Sequence, residues 1–139
     1  MGTVIDIMPL GDLLDIDTCG LLLSDRALEQ TTVMVLEGLG EDVNWWNRHG
    51  ESNNFPDMEV RRQQVDCKGS AKYFGSMFIG IETHSRMIHR RTFGQIYFIL
   101  NDLSVVTWDE FEKLKVRKDA GWAMSSVGRS IKEWLEEIG

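Results

Sequence analysis

Three residues in the middle of the chain, Asp57, Asp66 and Lys68, form a pattern suited to phosphodiester hydrolysis. Asp57 follows Pro56 near the start of an extended stretch running from Phe55 to Lys68, and Asp66-Cys67-Lys68 closes that stretch. Two carboxylates on adjacent strands can converge on one Mg²⁺, a hard ion that takes oxygen ligands and keeps several waters. Such an ion polarises a phosphoryl oxygen and lowers the pKa of a water. Positions i and i+2 of a strand share a face, so Asp66 and Lys68 would reach one site while the Cys67 side chain enters the opposite layer. The backbone carbonyl of Cys67, lying between them, is a further candidate metal ligand. An ammonium at Lys68 could orient the attacking water or stabilise charge developing on the phosphate. Of the six lysines, only Lys68 stands two residues after an acid, and of the two prolines only Pro56 precedes an Asp.

Elements must bring these groups together. Apolar Ala27, Leu28, Val33, Val35, Leu36 and Leu39, with Ser24 as a possible N-cap and Gly38 and Gly40 at the far end, predict a helix from Asp25 to about Leu39. Val43 to Trp46 reads as a strand, followed by a polar loop containing Arg48, His49, Asn53 and Asn54, then the stretch holding the two aspartates. Met77 to Ile81 predicts a third strand, Ser85 to Arg91 a short helix, Ile96 to Leu100 a buried strand and Val105 to Thr107 a small one. Trp108 to Val116 could add a helical turn or two. Val127, Ile131, Trp134, Leu135 and Ile138 make one apolar stripe on a terminal helix. The expectation is one α/β domain over 1–139, a mixed β-sheet flanked by helices: an N-terminal extension over 1–24, a core over 25–107 and a helical addition over 108–139. The Trp45/Trp46 pair and Trp134 are expected to be packing residues.

With these residues and this order of elements, αβββαβ, the chain over about 25–107 resembles the PD-(D/E)XK nuclease superfamily, the restriction-endonuclease-like fold. The resemblance implies that Asp57 and Asp66 are metal ligands, Lys68 is the catalytic lysine, and Glu29 on the first helix is a further catalytic acid, with Glu37 and Glu41 as rivals for that place. Asp66 stands where the signature more often has Glu, and the short gap after Asp57 implies a tight turn around Arg61 to Gln63. It further implies Mg²⁺ as cofactor, with Mn²⁺ able to substitute, DNA as substrate, and an origin in a phage or mobile element within a bacterial host. Glu82 and His84, just after the third strand, are open between roles near the site and structural ones.

Net charge is −7, but it is unevenly spread: residues 1–59 hold 12 acids and 2 bases, and residues 60–139 hold 10 acids and 13 bases. Arg61, Arg62, Lys72, Arg86, Arg90 and Arg91 fall in the basic stretch, and a local basic face can hold a polyanion on an acidic protein because screening limits distant charges. These six are the candidate nucleic-acid contacts, gripping phosphates and not reading bases. No apolar run approaches the roughly 18 residues of a membrane span, and the N-terminus shows no basic, export-type start. Cys19 and Cys67 suggest neither a disulfide scaffold nor a zinc site, which fits a reducing cytoplasm. Cutting both strands of a duplex needs two active sites, so a homodimer is expected for such a substrate. The alternatives are a non-catalytic module that binds nucleic acid or protein on the same fold, and a regulatory protein whose acidic residues 1–59 imitate nucleic acid.

Overall fold

A computed structural model describes residues 25–48, 56–68, 75–91 and 95–139. Helix α1 (Asp25–Gly38) buries Leu28, Val33, Val35 and Leu36. It ends where Gly40 takes φ +89°, letting the Glu41 amide donate to the Leu36 carbonyl and the Gly40 amide to that of Glu37, a Schellman closure. The chain then forms β1 (Val43–Trp45), β2 (Met58–Val60) and β3 (Gln63–Cys67), three consecutive antiparallel strands. After β4 (Ser76–Gly80) and helix α2 (Ile81–Arg91), β5 (Ile96–Ile99) returns parallel to β3, and β6 (Val105–Thr107) closes the sheet in the order β1-β2-β3-β5-β6. Strand β5 lies inside the sheet between β3 and β6, and Ile96, Phe98 and Ile99 are fully buried, as its uninterrupted apolar sequence requires.

A second, three-stranded sheet joins β4 to a hairpin made by β7 (Val116–Lys118) and β8 (Gly121–Ser125), in the order β4-β8-β7. Helices α3 (Trp108–Leu114) and α4 (Ile131–Ile138) both start in full capping boxes, Thr107 with Glu110 and Ser130 with Glu133. Ile131, Trp134 and Leu135 of α4 pack with α1 against one face of the main sheet, so this apolar stripe is used within the chain; Val127 lies before the helix and is exposed. On the other face, Met77, Ile79, Met87, Trp108, Phe111 and Met124 cover Ile96, Phe98 and Val106. Among the described residues no helix is long and apolar enough to cross a membrane.

The chain is mixed α/β, as expected; the order α1-β1-β2-β3-α2-β5 follows αβββαβ only when β4, an additional strand between β3 and α2 that belongs to the second sheet, is set aside. The stretch over 55–68 is two strands with a reversal between them, and these supply the second and third strands of the main sheet. The segment expected to be the third strand is β4, which pairs with β8 and not with the main sheet. Its short apolar run, Met77-Phe78-Ile79, suits a strand in either sheet, so sequence pattern does not say which sheet it joins. Helix α2 also starts four residues early, at Ile81, where the Ile81 amide donates to the Ala120 carbonyl of the β7–β8 turn. The segment after 108 is not purely helical, since β7 and β8 lie within it. Residues 1–24 lie outside the described residues, as do Ser24, His49, Asn53, Asn54 and Lys72.

Candidate active site

Strand register brings the two aspartates together. Met58 pairs with Val65, so the next step outward sets Asp57 directly across from Asp66, and cross-strand partners share a face. Val43, Trp45, Met58, Val60, Val65 and Cys67 point into the α1 layer, so Asp66 faces the other way, while Asp57, in the bend just before β2, sets its carboxyl against the Cys67 and Asn47 amides. Asp66 pairs in turn with Phe98 of β5, at the border where the second sheet's apolar cover begins. Asp66 is consequently only 2% exposed, while Asp57 is partly buried at the strand end.

The electrostatics of the pair are unfavourable in the free chain. Burial, the Asp66 charge, a hydrogen bond shared with Asp66 and the more distant Glu29 push the Asp57 carboxyl up to about 9, against a smaller opposing effect from the Cys67 amide. Two close carboxylates away from water cannot both ionise cheaply, so near neutral pH the pair keeps a proton. Asp57 Oδ2 accepts from the Cys67 amide at 2.7 Å, and Oδ1 accepts from Asn47 Nδ2 at 3.2 Å. Lys68 Nζ lies 3.2 Å from Asp66 Oδ2, with its side chain partly exposed. That contact is an ion pair without hydrogen-bond geometry, and the buried Asp66 Oδ2 accepts no hydrogen bond.

Glu29 reaches the site from α1. Its Oε1 accepts from Trp45 Nε1 and from Asn47 Nδ2, each at 3.0 Å, so one buried amide bridges Glu29 and Asp57. Acceptors on both sides require the Asn47 nitrogen to face them. One turn along α1, Thr32 Oγ1 lies 3.7 Å from Cys67 Sγ, which fixes the helix over β3. Cys67 thus touches the site through its backbone, while its thiol, pushed up by burial, is an inert core group. Glu37 pairs with Arg48 and Glu41 with Arg61, so of the three acids weighed for the α1 position only Glu29 joins Asp57.

Asn47 escaped the sequence reading. It lies in a polar stretch, where a buried amide looks like any loop residue, and only the structure shows it 1% exposed between two carboxylates. Trp45 likewise does more than pack, since its indole N–H holds Glu29 and its ring carries the Arg26 guanidinium 4.3 Å from the centroid.

The expected phosphate-gripping residues are dispersed. Arg61 and Arg62 form the β2–β3 turn, at the opposite end of these strands from Asp57 and Asp66; Arg61 is tied bidentately to Glu41 at 2.7 Å and to the Leu135 carbonyl at 2.9 Å. Arg86 is exposed on α2 and donates to Thr83. Arg90 and Arg91 belong to the last turn of α2, but their side chains, with Lys72, lie outside the described residues. Glu82 is exposed on α2. His84 belongs to a separate cluster: it stacks on Trp108 and its Nε2 lies 2.6 Å from Glu112 Oε1.

Among the described residues, no group of three or more His, Cys, Asp or Glu side chains is placed to hold a metal by itself. Mg²⁺ can be held by fewer protein ligands, using one or two carboxylates with waters and substrate phosphate. Proton-sharing carboxylates and a buried oxygen without a hydrogen bond are the donor set such an ion suits. No protein-family model and no curated protein matches the chain.

Proposed function

We propose that this chain is a Mg²⁺-dependent deoxyribonuclease, an endonuclease of the PD-(D/E)XK type, with Mn²⁺ able to replace Mg²⁺. The observation that carries the reading is the Asp57/Asp66 pair, two carboxylates set across from one another on the β2–β3 hairpin with Lys68 Nζ 3.2 Å from Asp66. Asp57, Asp66 and the Cys67 carbonyl would hold the ion, which when bound supplies charge neutralisation at the scissile phosphate and acidifies water. Lys68 would orient the attacking water from the more exposed side of Asp66 and offset charge building on the phosphate. Glu29 acts through Asn47, holding Asp57 in its orientation, and is therefore a positioning residue here. A duplex substrate would require two copies of the chain. The intracellular, phage-related setting implied by the family resemblance belongs to the same proposal.

The test is a cleavage panel of plasmid, linear duplex, flap and single-stranded DNA with Mg²⁺, Mn²⁺ or EDTA, run beside calorimetric titration of Mg²⁺. Asp66→Ala should abolish both cleavage and Mg²⁺ heat, while Lys68→Ala should retain Mg²⁺ binding and lose about 10²–10³-fold in rate. Undiminished cleavage by a folded Asp66→Ala protein would discard the site. Mg²⁺ heat that is absent in the wild type, together with no cleavage, would leave the non-catalytic binding module as the reading.

A further inference from the structure

Lys68 stands beside Asp66, and two further cations gather at the same end of the strands, linked to Asp57 through a single residue. That residue is Asn47: its side-chain amide donates to Asp57 Oδ1, and its backbone carbonyl accepts from Arg26 Nη1. Arg26 Nη2 also donates to the Arg48 carbonyl at 3.1 Å. The Arg26 guanidinium lies 4.3 Å and the Arg48 guanidinium 5.5 Å from the Trp45 ring centroid, so one indole carries two positive charges. Carbonyls and a ring face attract a cation without cancelling its charge. Glu29, the acid nearest the indole, is turned to Trp45 Nε1 and to the Asn47 amide. Among the described residues the half-buried Arg26 makes no ion pair, and Arg48 makes one, to Glu37 Oε2 at 3.3 Å, with both side chains close to half exposed. A pair that open to water is weakly held and yields readily to another anion. Other arginines are bound differently: Arg61 is locked bidentately on Glu41, and Arg129 is held between Glu110 and Glu137.

We infer that Arg26 and Arg48 are the phosphate grip of the site, holding the DNA backbone where it crosses the end of the sheet toward Asp57 and Asp66. This rests on the nuclease reading of the Asp57/Asp66 site. A chain of net charge −7 gains nothing from its overall field, so contact with a polyanion must come from cations set close to the cut. Guanidiniums suit that task, because they stay charged and their planar fork matches two oxygens of one phosphate. Their distance from the carboxylates matters too. A guanidinium in direct contact with Asp57 and Asp66 would neutralise the pair and repel the incoming ion, whereas one set on the far side of Asn47 leaves the carboxylates to the metal. Glu37 then acts as a stand-in for phosphate, occupying Arg48 until DNA displaces it. Phosphate contacts carry no base information, which predicts sequence-indifferent binding.

The experiment measures fluorescence anisotropy of a short labelled duplex and of one of its separated strands, across salt from about 50 to 200 mM. Ca²⁺ serves as the cation, strand integrity is checked on a gel, and the same proteins are assayed for Mg²⁺-dependent cleavage. Arg48→Gln should weaken binding roughly 3–10-fold and lower the slope of log affinity against log salt by about 0.9 on the duplex or 0.7 on the single strand, the contribution of one phosphate contact. Lys132→Gln, the same charge change at an exposed position of α4, should leave that slope as in wild type. Glu37→Gln should tighten binding about two- to threefold, and only while Arg48 is present. Arg26→Gln should match Arg48→Gln, and Arg26→Lys should keep the wild-type slope. Melting curves show whether the Arg26 variants fold; where they do not, the exposed Arg48 decides. Mg²⁺ heat should be unchanged in Arg48→Gln, since the carboxylates are untouched. If wild type binds and cleaves DNA while Arg48→Gln keeps its affinity and slope, or Lys132→Gln loses as much, this inference fails and the nuclease reading stands. If wild type neither binds nor cleaves either DNA, both fall.

Discussion

The hairpin β2–β3 carries charge at both ends and treats it in opposite ways. At the turn, Arg61 and Glu41 are opposite charges in a bidentate pair near solvent, with the Leu135 carbonyl taking a third guanidinium hydrogen bond. At the open end, Asp57 and Asp66 are like charges brought together away from water, relieved among the described residues by a proton, two amide donors and one ammonium. The turn is satisfied by the chain itself. The open end is arranged as if a positive charge were to arrive, which is where stability and function conflict.

Asp57→Asn gives the largest expected separation between those two demands. Cleavage should fall to background, because a neutral amide leaves the site one negative charge short of what holds Mg²⁺. Stability should move the other way. The folded-state pKa of Asp57 is about 9, against an ordinary 3.8, so between those values the folded chain holds a proton that the unfolded chain has released. Wild-type stability therefore has a contribution that declines as pH rises through that window, and the variant lacks the decline. Its unfolding free energy should exceed wild type's by a margin that widens from pH 5 to pH 8, on the order of a few kcal/mol at the upper end, with the melting temperature following. Melting curves at both pH values check this, and a constant margin would refute the shared-proton account.

Asn47→Ala should have an intermediate effect. It leaves Asp57 Oδ1 and one contact of Glu29 Oε1 without the amide, in a place where Asn47 is almost wholly buried. The loss should be about 1–3 kcal/mol of stability and roughly 10–100-fold in cleavage, the range typical of groups that orient metal ligands. Measured by denaturant titration and initial rates, an effect on stability alone would make Asn47 a structural residue.

What the sequence disclosed follows the same division. Asp57, Asp66 and Lys68 were legible because strand alternation is strict and only one acid-x-Lys triplet exists, so pattern sufficed to put two of the three on one face. The mixed succession of helices and strands is legible too, but the strand expected over Met77 to Ile81 pairs with β8 in the second sheet and stands as a fourth strand before α2. Its partner β8, Gly-Trp-Ala-Met-Ser, has no β-branched residue and gives no strand signal. The burial of Asn47 and the 44% exposure of Trp46, expected to pack as Trp45 does, depend on which neighbours cover a face, a property of tertiary packing and not of local composition. The basic stretch was misleading for a related reason: adjacent charges in sequence end up on a turn, beside the carboxylates and on α2, so Arg61 is occupied by Glu41 where a phosphate contact was expected.

The smallest expected effect lies at the turn and tests whether the two ends are independent. Arg61 and Arg62 sit at φ 50° and 68°, the geometry of a two-residue type I′ connection, which ordinarily takes Asn-Gly because side chains with a Cβ resist positive φ. Arg61 has compensating partners, so replacing it would confuse backbone relief with the loss of Glu41 and Leu135. Arg62 is exposed and is the cleaner probe. Glycine there removes a left-handed penalty of roughly 1–2 kcal/mol and adds back about 0.5–1 kcal/mol of chain entropy. Arg62→Gly should thus stabilise by at most about 1.5 kcal/mol in denaturant titration. Cleavage should be unaltered, because the turn stands some 13 Å along the strands from the aspartates, beyond the screening length at physiological salt. A clear fall in DNA binding would return Arg62 to the substrate path and show that the nucleic acid runs the length of the hairpin.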